Sequence, residues 1–162
     1  MDAFQAARAA YRAGRIYDAL EAAQVACERR PKDPEAWRLL GTVSRHAGLP
    51  AAGDDAFQRA ATLSPRRHRV PVRVSRERFE ALVAEAKSKL SKDARRRLDG
   101  VEIRVQDLPD QDSIEQGAAP NALSWRRREP PGELILYQGN HENRATEEVE
   151  LARLLARTLA RA

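Results

Sequence analysis

Residues 34–65 read PEAWRLLGTVSRHAGLPAAGDDAFQRAATLSP, and this stretch decides the fold of the first half of the chain. Two amphipathic segments flank Gly48-Leu49-Pro50, and Pro65 closes the second. Sliding the sequence by 34 places lays an earlier copy on it: Gly14 falls on Gly48, Ala23 on Phe57, Ala26 on Ala60 and Pro31 on Pro65. A unit of this kind cannot bury its apolar face alone, so the period dictates stacked helical hairpins. Small residues (Gly41, Ala60, Ala26) stand where paired helices approach closely, and Trp37, Leu40 and Phe57 fill the seam. Proline cannot continue a helix and restricts the residue before it, so Pro31 and Pro65 end the second helix of each pair. The spacing predicts helices over 2–13, 17–29, 34–46 and 50–63.

Trp37, Leu40, Gly41, Gly48, Phe57, Ala60 and Pro65, with Gly14, Tyr17, Ala19, Ala26 and Pro31 in the earlier copy, make residues 2–67 resemble the tetratricopeptide repeat family. The resemblance implies peptide binding on a concave face lined by the first helix of each pair. Carried over position by position, that groove falls on Phe4, Arg8, Tyr11 and Arg12, then on Glu35, Arg38, Thr42, Arg45 and His46. Four arginines on such a face favour a carboxylate-rich ligand, because the guanidinium fork pairs bidentately with carboxylate. The plainer reading is a solvated helix face in an arginine-rich protein. His46 has no partner histidine nearby and reads as a groove or surface residue, not a metal ligand. Two repeats are fewer than the three or so that stack stably. The last helix therefore needs a cover, either the following helix, 75–90, or a second protein molecule.

Composition sets the wider bounds. The chain has 162 residues and a net charge of +5, with 42% apolar, 5% aromatic and 33% charged residues. Residues 1–72 carry +4 of this charge and residues 73–162 only +1. The single Cys27 excludes an internal disulfide framework and a multi-cysteine zinc site, and its place in a repeat helix reads as a core thiol. No run approaches the roughly 18 apolar residues of a membrane span, so no membrane insertion is expected. The start MDAFQAARAA shows no secretory pattern, which makes a cytoplasmic protein the expectation. The basic stretch RRHRVPVRV lacks interleaved aromatics, so nucleic acid is not an expected partner. With Pro71 and no helical period, residues 68–74 read as a linker.

Beyond that linker the pattern changes. Ser75 reads as an N-cap, with Glu77 complementing the helix dipole and an apolar stripe at Phe79, Leu82, Val83, Ala86 and Leu90. A short helix over 91–98 ends at Asp99-Gly100. Val101, Ile103 and Val105 alternate with Glu102 and Arg104, the pattern of a half-buried strand. A long polar loop follows, within which Ala122, Leu123 and Trp125 form a short strand; residues 132–138, GELILYQ, read as a clearer one. Thr146 is placed as the cap of a closing helix whose inner face is Val149, Ala152, Leu155, Ala156 and Leu159. The acids Asp107, Asp110, Asp112 and Glu115 lack the turn glycine and spacing of a calcium loop and read as solvated. Trp125 beside Arg126, Arg127 and Arg128 marks a second contact for a protein or an anion, with a charged loop edge as the bland alternative.

The phrases SRERFEALVAEA, LDGVEIRVQDLP, ELILYQ and EEVELARLLARTLA make residues 73–162 resemble a small bacterial metallopeptidase family with a minimal zincin fold. In that family the last helix carries HExxH, whose histidines hold zinc and whose glutamate activates the bound water. Here the first His and Glu positions fall near Arg161 and Ala162, and His141-Glu142-Asn143 is not a ligand motif. The sequence-level expectation is an α+β chain: two tetratricopeptide hairpins over 1–67, a linker, and a degenerate zincin-like domain over 75–162. It would be non-enzymatic, without metal or cofactor, and would bind a protein partner with an acidic or C-terminal segment. The rival readings are a zinc peptidase completed by other residues, and an assembly protein that oligomerises through an uncovered part of the small sheet.

Overall fold

The computed structural model describes residues 1–162, which fall into two compact units, Met1–Val70 and Pro71–Ala162. The chain is α+β, with nine helices and one three-stranded mixed sheet. No helix is long and apolar enough to cross a membrane.

The first unit holds α1 (Ala3–Arg12), α2 (Ile16–Arg29), α3 (Pro34–His46) and α4 (Pro50–Leu63), within a residue of the predicted bounds. Asp2 caps α1 through the Gln5 N–H, with the Gln5 side chain returning to the Asp2 backbone. Asp33 caps α3, with Pro34 as its first residue, where the missing N–H costs nothing. The two copies end their first helices identically. Gly14 and Gly48 take φ of +77° and +79°, and the next N–H reaches back to Ala10 O and Ser44 O respectively. Glycine adopts this left-handed conformation without the Cβ penalty, which is why the repeat carries it 34 residues apart.

Packing in this unit rests on small residues: Ala7, Ala19, Ala23 and Ala36 are fully buried. The closest approach is between α3 and α4. A Cβ on Gly53 would stand 2.8 Å from the Gly41 carbonyl oxygen, and one on Gly41 would stand 3.0 Å from the Phe57 ring. Phe57 fills the seam as expected, while Trp37 is half-buried, donating to the Pro31 carbonyl at 2.9 Å beneath the Arg59 guanidinium.

The second unit comprises α5 (Arg76–Ser88), α6 (Lys92–Leu98), β1 (Glu102–Gln106), α7 (Gln111–Glu115), β2 (Ser124–Arg127), β3 (Glu133–Tyr137), α8 (Gln138–Glu142) and α9 (Glu148–Arg161). The sheet order is β1-β3-β2, with β3 parallel to β1 and antiparallel to β2. Phe79, Leu82, Val83, Ala86 and Leu90 all enter one core with Leu134 and Leu136 of β3 and Leu151, Leu155 and Leu159 of α9. Ile135 and Tyr137, on the other face of β3, are equally inaccessible. Both faces of the central strand are therefore covered, while β1 and β2 stay partly exposed.

Several local expectations are corrected. Within the stretch 68–74, read as a linker, the division between the two units falls after Val70. His68 is buried against Glu35 in the first unit, and in the second the Val72 N–H donates to Ala145 O at 2.8 Å. The polar loop after β1 contains α7, capped by Asp110 on the Ser113 N–H. The strand beginning at 133 stops at Tyr137, and Gln138 starts a helix instead. A Cβ on Gly139 would stand 2.7 Å from the Asp107 carboxylate and 3.0 Å from its carbonyl oxygen, so a residue without a side chain fits this close approach. Thr146 does not cap α9; Glu147 stands at the N-cap position without a side-chain bond to the helix, and the Thr146 N–H and hydroxyl both donate to Glu150. The buried face of α9 is Leu151, Leu155, Thr158 and Leu159, whereas Val149 and Ala156 are exposed. The inner stripe thus runs at i, i+4 and i+8 from Leu151, not from Val149.

Candidate functional site

The sequence places the candidate peptide face on α1 and α3, and a side-chain pair joins those helices. Tyr11 Oη lies 3.1 Å from His46 Nε2, with the rings edge to face at 5.2 Å between centroids. Tyr11 is buried and His46 half-buried, so the pair ties α1 to α3 and leaves part of the imidazole accessible.

The arginines divide into two kinds. Arg8 and Arg12 are exposed, and the Arg8 guanidinium lies 5.7 Å from the centre of the Phe4 ring, which holds it in place by a cation–π contact. Arg38 is half-buried, 5.7 Å over the Phe57 ring, and Arg45 is half-buried as well. Burial lowers the Arg38 pKa from its usual range, and the nearby Glu35 opposes that effect. A desolvated cation gains more from an incoming anion than a solvated one does. Thr42 gives its hydroxyl to the Arg38 carbonyl at 3.3 Å, one turn back along its own helix. Glu35, the one carboxylate on this face, is held by His68 at 2.9 Å and by Arg67 at 3.7 Å. Its negative charge is thereby turned towards two basic groups of the same unit.

Cys27 is buried on α2, and burial, followed by the charge of Asp33, pushes its thiol up to about 11. A thiol with that pKa is almost wholly protonated at neutral pH and is a poor nucleophile.

The second unit holds a polar cluster that sequence reasoning missed. Gln138, Asn140, His141, Glu142 and Asn143, on and just after α8, are all buried. The Glu142 carboxylate accepts from the Val74 N–H at 2.9 Å and the Gln138 amide at 3.2 Å, and lies 3.5 Å from Arg73. Asn140 donates to the carbonyls of Pro120 and Ala122. His141 Nδ1 lies 2.8 Å from the Tyr137 carbonyl, which can only accept, so Nδ1 carries the proton. Burial brings the His141 pKa down to about 4, and Nε2 lies 3.0 Å from the Thr158 hydroxyl, whose one proton is shared with the Leu154 carbonyl 2.9 Å away. Nδ1 thus ties the ring to the start of α8, and Nε2 faces α9. The one available signal was the stretch QGNHEN over 138–143, five polar residues and a glycine directly after an apolar strand.

These residues do not fit a zinc centre. No three His, Cys, Asp or Glu side chains converge as a metal-holding group. The acids after β1 do not gather either: Asp110 is spent on the α7 cap, and Asp112 and Glu115 face solvent.

The second predicted contact is split by the sheet. Trp125 lies on the same face as Arg127, and Arg126 on the opposite face beside Leu134. Arg126, Arg127 and Arg128 line a cleft with Arg97 and Arg161, and Trp125 is not part of its wall.

No protein-family model matches this chain, and no curated protein matches it.

Proposed function

We propose that this chain is a non-catalytic interaction protein whose first unit, two tetratricopeptide-type hairpins, binds an acidic peptide segment along the α1–α3 face. The 34-residue repeat, with its twin glycine-terminated first helices, supports the repeat reading. The observation that carries the functional reading is the arrangement of charge on that face. Exposed Arg8 and Arg12 stand on α1, half-buried Arg38 and Arg45 on α3, and the only acidic side chain among them is engaged by His68 and Arg67. Peptide carboxylates would pair with the exposed guanidinia first and draw on the desolvated Arg38 as water leaves the interface.

The second unit is proposed as a zincin-like domain without the metal chemistry of that family. Its one histidine is committed to the α8–α9 contact, and its buried carboxylate Glu142 neutralises Arg73 and accepts from the backbone. These roles organise a core.

The test is charge reversal at Arg8 and Arg12, which lie outside the packed seam. A glutamate-rich peptide should bind the unaltered chain and lose affinity for the Arg8→Glu, Arg12→Glu variant. Equal affinity for both would remove the peptide from this face.

A further inference from the structure

The cleft between α6, the end of α9 and β2 has a volume of about 750 Å³, within the range of small-molecule sites. Five arginines, Arg97, Arg126, Arg127, Arg128 and Arg161, line it beside Ala162 and a Pro-Pro-Gly turn, and no Asp or Glu side chain does. The Arg127 guanidinium is drawn instead to Glu133, 3.6 Å away across the antiparallel pair.

Two of the four remaining arginines are fixed without being neutralised. Arg97 donates to the carbonyl of Ala160 at 2.6 Å, and Arg126 donates to the carbonyl of Arg97 at 2.9 Å. These carbonyls belong to the last turns of α9 and α6, so the bonds also quiet the negative ends of both helices. A carbonyl bears no net charge, so each guanidinium keeps its full positive charge and its remaining N–H donors. Arg128 and Arg161 form no ion pair at all. Four like charges around one concavity repel one another, and the low-dielectric walls focus their field on whatever enters.

We propose that this cleft is a binding site for a compact polyphosphate anion, with the guanidinia of Arg97 and Arg126 held as a preset pair and Arg128 and Arg161 closing on the ligand. The volume and the charge together select the ligand class. A di- or triphosphate group concentrates several negative charges in a space this small, and each phosphate offers the paired oxygens that a guanidinium fork grips. A peptide carries about one carboxylate per residue and needs an extended groove to present four. This site is separate from the α1–α3 face, and its failure or success leaves that assignment untouched.

The experiment is calorimetric titration of the full chain with inorganic tripolyphosphate at low and moderate salt. The unaltered chain should bind with 1:1 stoichiometry and weaken as salt rises. The Arg128→Gln, Arg161→Gln variant removes two charges that support no internal bond, and should lose affinity at least about tenfold while keeping its circular dichroism melt. The Arg66→Gln, Arg69→Gln variant loses the same charge at two exposed positions outside both sites and should bind as tightly as the original. Absence of binding, an equal loss in both variants, or tighter binding of hexaglutamate than of tripolyphosphate at the cleft would overturn the proposal.

Discussion

The two units solve the same problem, burying a core in a chain with few aromatics, by opposite means. The first brings helix backbones together over alanine and glycine, with Ala7, Ala19, Ala23 and Ala36 inaccessible and Gly41 set against Gly53. The second packs large aliphatics from α5, α9 and β3 and places a buried carboxylate and a buried imidazole beside them. The contrast teaches where each is brittle. A close-packed helical seam has no room for an added methyl group, whereas a core with a polar cluster cannot lose an acceptor.

The sharpest way to break this contrast is at Glu142. Replacing it with Ala removes the buried acceptor of the Val74 N–H and the counter-charge of Arg73, which keeps its bond to Asn143 at 2.9 Å, and the expected loss is about 3 kcal/mol by urea denaturation. A loss under about 1 kcal/mol would mean that the cluster is already solvated and that the comparison fails on the side of the second unit.

His141 gives a pH signature of the same cluster. Its folded-state pKa of about 4 lies below the ordinary 6.5, so the unfolded chain takes up the proton first as pH falls. Its contribution is therefore complete above pH 6.5 and lost progressively towards pH 4, about 3 kcal/mol over that window. Urea melts at pH 7 and pH 5 should show a steeper fall for the unaltered chain than for His141→Gln. Parallel falls would place the titration elsewhere.

The first unit is probed by Gly53→Ala. Alanine is the better helix former by about 1 kcal/mol, yet its Cβ meets a backbone oxygen that cannot step aside. The net expectation is a loss of about 2 kcal/mol, read from the same urea midpoint. A gain in stability would show that α3 and α4 can separate freely.

Legibility in the sequence followed this same division. The repeat was readable because its signals are local: Gly14 and Gly48 recur 34 residues apart, and Asp33-Pro34 starts a helix on its own. The α5 stripe from Phe79 to Leu90 was readable for the same reason. The helix α8 was not, because its first turn is bonded to a residue 32 places earlier, the Gly139 N–H donating to the Asp107 carbonyl at 2.8 Å. The burial of His141 and Glu142 depends on Thr158 and Val74, equally remote in sequence, so polar residues that pattern reading gives to solvent became core. On the α1–α3 face, residue type was legible but exposure was not. The four arginines looked alike until Phe57 and Phe4 distinguished the half-buried Arg38 from the exposed Arg8. The cleft behind β2 was visible only in part, since Arg97 and Arg161 join Arg126 and Arg128 through tertiary structure alone.

The claim that matters most is that the α1–α3 face captures carboxylates. Fluorescence anisotropy of a labelled glutamate-rich peptide, titrated with the full chain, tests it most directly. The unaltered chain should give saturable binding that weakens with salt. Arg8→Glu with Arg12→Glu should weaken it at least about tenfold, while Arg128→Gln with Arg161→Gln leaves it unchanged. Binding that ignores the first pair and falls with the second would contradict the account, because the acidic partner would then belong to the other unit.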